Sequence, residues 1–384
     1  MTIFLGIKLA KKKNVAEEGA EAPIKNPMAA IFKEAGFVIP PASELVDDDR
    51  TIWIDTGSYT LNAIISGSIY GGVPSDSITA IAGEKATGKT YIALTICKNF
   101  LERYPNAQVV YFDTEWAVKV HMLADRGIPQ DRFYIRRTNT MEDFRFQATS
   151  LVNSFMKLPV SQRPPMLFVL DSLGMISTEK EIKESGLPPN KAVKDMTKSQ
   201  LARGVFRVLT IKLGDANIPL IITAHTWDKI GTRVRPGMPV PKEMGGGEGA
   251  KYAASTIIFL AKKGIYDEDS KEITGNELKA KLYKSRYTRD GLKANLILDH
   301  IKGLDRYHGL FDIAKAYEVV VKKGNCFVFP DGQEAFTADV ANDPEKFYTK
   351  ETLDLIDAKV KVAFKFGSSI IPVIDTDEKE EEEE

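Results

Sequence analysis

The chain has two cysteines in 384 residues, Cys97 and Cys326. That scarcity argues against both a disulfide framework and a cysteine-built metal centre, and predicts two reduced thiols. No stretch approaches the roughly 18 uncharged apolar residues that a membrane span requires. Met1 to Lys13 places its basic cluster after its apolar residues, the reverse of a secretory leader. A cytoplasmic protein without a membrane partner is therefore expected. The chain also lacks internal repeats and has little net charge, −1 overall. This near-neutrality hides a polarised distribution, because Asp375 to Glu384 is almost wholly acidic and the rest carries 51 basic against 45 acidic residues.

What is present is a phosphate-binding pattern. Gly83-Glu84-Lys85-Ala86-Thr87-Gly88-Lys89-Thr90 follows the spacing G-x-x-x-x-G-K-[ST]. The apolar Ser77 to Ala82 precedes it, and Tyr91 to Tyr104 follows with helical spacing, which supplies the strand, loop and helix that the motif needs. Glycines let successive backbone N–H groups turn toward an anion, and the helix aims its positive dipole end at the same point. ATP and Mg²⁺ are the expected ligands, with Lys89 on the β/γ-phosphates and the Thr90 hydroxyl on the metal.

From Ser77 onward, apolar runs at Ala107 to Asp113, Pro165 to Asp171, Ile218 to Ala224 and Ser255 to Leu260 alternate with helical patterns. The alternation predicts an α/β fold with a mainly parallel central sheet flanked by helices. Beyond about residue 275, Leu278 to Tyr283 and Ala294 to Asp299 read as paired strands, and Asn325 to Phe336 as a hairpin around Asp331-Gly332. The second half of the sheet is therefore expected to be antiparallel. A helix is expected over Lys350 to Phe364, before the acidic run. The expected organisation is an N-terminal arm over 1–50, a core over 51–320, a small C-terminal subdomain over 321–373 and an acidic tail over 374–384. The arm holds a short amphipathic helix at Asn26 to Ala35.

Asp171 ends an apolar run and is the candidate carboxylate for Mg²⁺, the alternative being a helix N-cap. Ser172 stands where many ATPases carry a water-orienting glutamate, so Glu115, at the end of Val109 to Thr114, is the candidate base. The alternative is a solvated charge at a strand end. Two charged, glycine-containing segments, 177–198 and 226–247, follow strands on the same sheet edge. The second is net basic, through Lys229, Arg233, Arg235 and Lys242, and suits a polyanion such as DNA or else is a mobile surface loop. His225 stands where strand meets loop, as a γ-phosphate sensor or a structural residue.

Taken in order, Gly83 to Thr90, Phe112-Asp113-Thr114-Glu115, Val169 to Gly174, Val193 to Thr197, Ala224-His225-Thr226, Met244 to Gly247 and Lys284-Ser285-Arg286 resemble the RecA-family recombinases. The resemblance is strongest to their phage UvsX type and runs from about residue 50 to about 320. It implies a RecA-like ATPase core in which Glu115 is catalytic and the two segments are DNA-binding loops. Lys194, Lys198, Arg203, Lys229, Arg233, Arg235, Lys242, Gly245, Gly246 and Gly247 then contact DNA. Lys284 and Arg286 reach the ATP of a neighbouring subunit. The same resemblance implies a helical filament on single-stranded DNA, pairing with a homologous duplex, an N-terminal arm packed on the next subunit, and single-strand-binding and loader proteins as further partners. A phage-encoded member would work in the host cytoplasm.

The chain departs from the family at two points. His121 and Met122 stand where an aromatic usually meets the adenine, and His225 replaces the glutamine of bacterial members. Two rival readings share the phosphate loop: a ring-shaped hexameric helicase, and an ATPase scaffold without DNA activity. The acidic tail is expected to compete with DNA for the basic loops.

Overall fold

The computed structural model describes residues 27–36, 39, 51–186, 198–229, 240–267 and 272–368. Most of the expected arm and the whole acidic run lie outside them. Within residues 1–49, helix α1 (Pro27–Glu34) occupies the expected amphipathic segment, with proline at its first position and Met28 and Ile31 exposed.

From Arg50 onward the chain forms one compact unit. Strands β1 (Trp53–Ile54) and β2 (Val73–Pro74) pair on either side of α2 (Tyr59–Ser66). Ser58 caps α2, and Gly67 closes it in the left-handed region. There follow β3 (Ile78–Gly83), α3 (Lys89–Arg103), β4 (Gln108–Asp113), α4 (Val120–Asp125), β5 (Phe133–Arg137), α5 (Met141–Met156) and β6 (Met166–Asp171). After them come α6 (Glu179–Glu184), α7 (Lys198–Ala216), β7 (Leu220–Asp228), β8 (Lys242–Met244), α8 (Glu248–Ala253), β9 (Thr256–Tyr266), β10 (Ile273–Lys284), β11 (Lys293–Asp299) and β12 (Gly303–Leu304).

These strands form one sheet in the order β12-β11-β10-β9-β3-β7-β6-β4-β5, with β8 paired to the end of β7. From β9 to β5 every neighbouring pair is parallel, and from β9 to β12 every pair is antiparallel. The mixed sheet expected from the sequence is therefore present. The parallel half is covered on both faces, as its near-continuous apolar strands require. Ile81, Tyr111, Val169 and Ile221 join the α3 side, while Ala82, Phe112, Leu170 and Ile222 join the side of α5 and α7. The antiparallel half alternates instead: Leu278, Ala280 and Leu282 are buried while Lys279, Lys281 and Tyr283 are exposed. The edge strand β5 was not expected, because Phe133-Tyr134-Ile135-Arg136-Arg137 mixes cations into its short apolar pattern.

The chain ends in α9 (Leu310–Ala316), a small sheet of β13 (Val321–Lys323), β14 (Cys326–Val328) and β15 (Glu334–Ala335), then α10 (Thr337–Asn342), α11 (Pro344–Phe347) and α12 (Lys350–Ala363). The expected hairpin around Asp331-Gly332 joins β14 to β15, with Gly332 at φ 85°. Ile356, Val360 and Phe364 of the last helical segment belong to the same apolar cluster as α2 and α3. Among the described residues no helix is long and apolar enough to cross a membrane.

Asp357 ties α12 to the turn after α2. It is buried and accepts from Ser68 Oγ at 2.6 Å and from the Ile69 N–H at 2.9 Å, with Lys361 at 2.6 Å on its other oxygen. Removing it leaves a buried N–H without an acceptor. Asp357→Ala should therefore lower unfolding stability by about 2 kcal/mol. Lys361→Ala removes only the exposed partner and should cost less than about 0.5 kcal/mol. Urea titration of both variants decides, and equal losses would remove the buried N–H as the cause.

Candidate functional site

Parallel register brings the chemistry to one line. Gly83 pairs with His225, and Asp113 with both Asp171 and Arg137, so the ends of β3, β4, β5 and β6 lie in line with His225 of β7 at the carboxyl edge of the sheet, while β7 itself runs on to Asp228. Such an edge is where ligand-facing groups of an open α/β sheet collect.

The phosphate loop links β3 to α3. Ala86 and Gly88 hold positive φ angles of 59° and 78°, and a Cβ on Gly83 would lie 2.6 Å from Thr87 Oγ1, so the tight turn requires glycine there. Thr87 Oγ1 donates to Glu84 O at 2.9 Å, and Glu84, Lys85 and Ala86 are exposed at the loop's crest. Lys89 is buried, and its Nζ donates to Gly83 O at 3.1 Å and Glu84 O at 2.6 Å. Burial pulls its ammonium below the usual lysine value, and the carboxylates of Asp171 and Glu115 offset part of that shift.

Asp171 is not a helix cap. Its Oδ2 accepts from Thr90 Oγ1 at 2.8 Å and Tyr111 OH at 2.6 Å, and its Oδ1 accepts from Thr223 Oγ1. Burial and the neighbouring Asp171 push the Tyr111 phenol well above its usual value, which keeps it a donor. The Thr90 hydroxyl and the Asp171 carboxylate are hard oxygen donors in contact, a set that suits Mg²⁺, which takes one or two protein oxygens and fills the rest with phosphate and water. Among the described residues no group of three or more His, Cys, Asp or Glu could hold a metal by itself.

Glu115 lies just beyond β4. Its Oε1 accepts from Ser172 Oγ and stands 3.3 Å from His225 Nε2, so the expected base and the expected sensor are in contact. Thr114 and Ser172 brace the two strand ends through reciprocal 2.8 Å bonds, Thr114 Oγ1 to Ser172 O and Ser172 N to Thr114 Oγ1. His121 and Met122 sit in α4, whose following residue Arg126 stacks over Tyr91 at 5.0 Å, so this helix lies against the start of α3.

The two segments expected as loops leave this edge, but not wholly as loops: the first contains α6, and the second begins with the end of β7 and contains β8. Lys194, Arg233 and Arg235 lie outside the described residues. Lys198 opens α7 and pairs with Glu181 at 3.6 Å, while Arg203 and Lys229 are exposed. Lys242 is not a free cation: it bridges Glu84 of the phosphate loop at 2.7 Å and Asp228 of β7 at 2.6 Å, and the two acids raise its pKa. Gly245 donates to His225 O at 2.7 Å, and a Cβ on Gly246 would lie 2.3 Å from Leu173 Cγ. Gly247, at φ 86°, precedes α8. Lys284 is engaged within its own chain, its Nζ donating to Lys251 O at 2.8 Å and Tyr252 O at 3.1 Å at the end of α8, while Arg286 is exposed. Burial lowers the Lys284 pKa, and the Arg286 charge lowers it further.

Sequence reasoning missed Tyr111, Thr223, Asp113 and Arg137. Thr223 is the one polar residue inside Leu220 to Ala224, a signal that could have found it; Tyr111 carries none, because it reads as an ordinary core aromatic.

Comparison with known proteins gives a consistent result. The model of the RecA N-terminal domain family matches residues 43–304. The "Recombination and repair protein" of Enterobacteria phage T4 is 25% identical over 292 residues, 76% of this chain and 71% of that protein. "Protein RecA" of Fusobacterium nucleatum is 25% identical over 334 residues, 86% of this chain and 82% of that protein. The "Mitochondrial DNA repair protein recA homolog" of Dictyostelium discoideum is 24% identical over 278 residues, 72% of this chain and 57% of that protein.

Gly246 combines a left-handed backbone, φ 91°, with contact against Leu173. Gly246→Ala should lower stability by about 2 kcal/mol or more through strain and overpacking. Thermal melting checks this, and an unchanged midpoint would show that the glycine is not required for packing.

Proposed function

The chain belongs to the RecA N-terminal domain family, and from that premise we propose that it is a recombinase of DNA recombination and repair. RecA-family recombinases are in general DNA-dependent ATPases that form filaments. In this reading the protein polymerises on single-stranded DNA, pairs it with a homologous duplex and hydrolyses ATP to ADP and phosphate. The observation that carries the reading is one continuous set of contacts: Thr90 on Asp171, Glu115 on Ser172 and beside His225, with the Gly245 N–H on His225 O. It runs from the phosphate loop to the root of the second loop segment.

Gly83 to Thr90 cradles the phosphates, and Thr90 with Asp171 holds Mg²⁺, which would neutralise charge on the phosphoryl oxygens. Glu115 orients water and accepts its proton. His225 shares contact with Glu115 and with the loop root, so a change at the phosphates is passed to the segments proposed to hold DNA. Lys198, Arg203, Lys229 and the two loop segments supply the cationic path for the DNA backbone. Exposed Arg286, with Lys284 behind it, is proposed to reach the nucleotide of the next subunit, and α1 to pack on that subunit.

Lys89→Ala should abolish ATP turnover, and Glu115→Gln should bind ATP normally yet turn over about a hundredfold more slowly, or worse. Electron microscopy with ATP and single-stranded DNA should show continuous filaments; discrete hexameric rings would replace this reading with a helicase. Arg286→Ala should be inactive alone and regain turnover when mixed with Lys89→Ala subunits. No recovery on mixing would remove the contact between subunits.

A further inference from the structure

Glu115 stands just outside the sheet, on a turn that belongs to neither a strand nor a helix. Something must hold it. Asp113, two residues earlier, is wholly buried, and its Oδ1 accepts from the backbone N–H of Glu115 at 3.1 Å and Ala117 at 3.2 Å. Its Oδ2 accepts from the Val118 N–H at 3.1 Å and from Arg137 Nη1. Arg137 Nη2 in turn donates to Val118 O at 2.9 Å, and the guanidinium lies 5.0 Å from the Trp116 ring. The turn therefore wraps a single carboxylate, and Arg137 clamps it from the edge strand β5.

We propose that Asp113 and Arg137 are the positioning residues for Glu115, setting where its carboxylate meets Ser172 and His225. The inference rests on Glu115 acting in ATP hydrolysis. Trp116 supports it independently: this bulky residue holds φ 56°, a conformation that persists only where its surroundings over-determine it. The backbone N–H groups of Glu115, Ala117 and Val118 end on Asp113, and the Val118 carbonyl on Arg137. An asparagine at 113 keeps the shape but turns an NH₂ toward N–H donors, so part of the turn loses its acceptor. A catalytic group displaced by about 1 Å can lose about a hundredfold in rate.

The test is a double-mutant cycle on DNA-stimulated ATP turnover, with nucleotide affinity measured in parallel using a fluorescent ATP analogue. Asp113→Asn should slow turnover by about tenfold to a hundredfold while the analogue's Kd stays within about twofold. In a Glu115→Gln background the same substitution should cause no further loss, since it acts through the glutamate. Turnover by Asp113→Asn close to that of the parent, or losses that multiply in the double variant, would overturn the proposal. Normal turnover by Glu115→Gln alone would instead overturn the reading of Glu115, and this inference with it. Arg137→Gln, whose side chain is partly exposed, carries the same cycle if Asp113→Asn fails to fold, with a loss of about tenfold expected.

Discussion

The buried carboxylate of Asp171 is the constraint on which the rest of this edge depends. A carboxylate removed from water must be met by donors or it destabilises the fold by several kcal/mol. Here the donors are hydroxyls from three other elements: Thr90 from α3, Tyr111 from β4 and Thr223 from β7. Each can donate only if its element sits in the observed register. The group proposed to hold a metal thus also sets the spacing between the phosphate loop and two strands of the sheet. Tyr111 carries this outward, because its ring stacks on Phe133 of the edge strand at 5.5 Å.

Around that centre, charge is handled locally. Lys89 is held by the carbonyls of its own loop, and Lys242 joins the phosphate loop to β7 through two acids. Glycine has a comparable role in packing. Gly246 lets the chain pass against Leu173, two residues beyond Asp171, so the root of the second loop segment lies against the strand that carries the proposed metal ligand.

The sequence discloses this architecture unevenly. The phosphate loop, the parallel run and its antiparallel continuation are legible, because spacing and apolar periodicity are properties of neighbouring residues. Glu115 and Asp171 are legible as polar groups at or just beyond strand ends, whereas His225, expected where strand meets loop, lies inside β7, which runs on to Asp228 to pair with β8. The mutual contacts of the three are not legible, because register between strands far apart in sequence depends on the packed sheet. The edge strand β5 escapes notice because Arg136 and Arg137 break its pattern, and one of those arginines clamps the turn that carries Glu115. Lys242 and Lys284 read as free cations from composition alone; only the folded chain reveals the carboxylates and carbonyls that engage them.

Asp113 and Glu115 divide their work. Asp113 gathers backbone amides and an arginine, so its replacement disturbs the chain itself. Glu115 meets only two side-chain tips and supports no backbone group among its described hydrogen bonds. Its side chain can therefore be exchanged with little damage to the fold. The side chain at position 115 is thus separable from the scaffold beneath it, which stays fixed by Asp113.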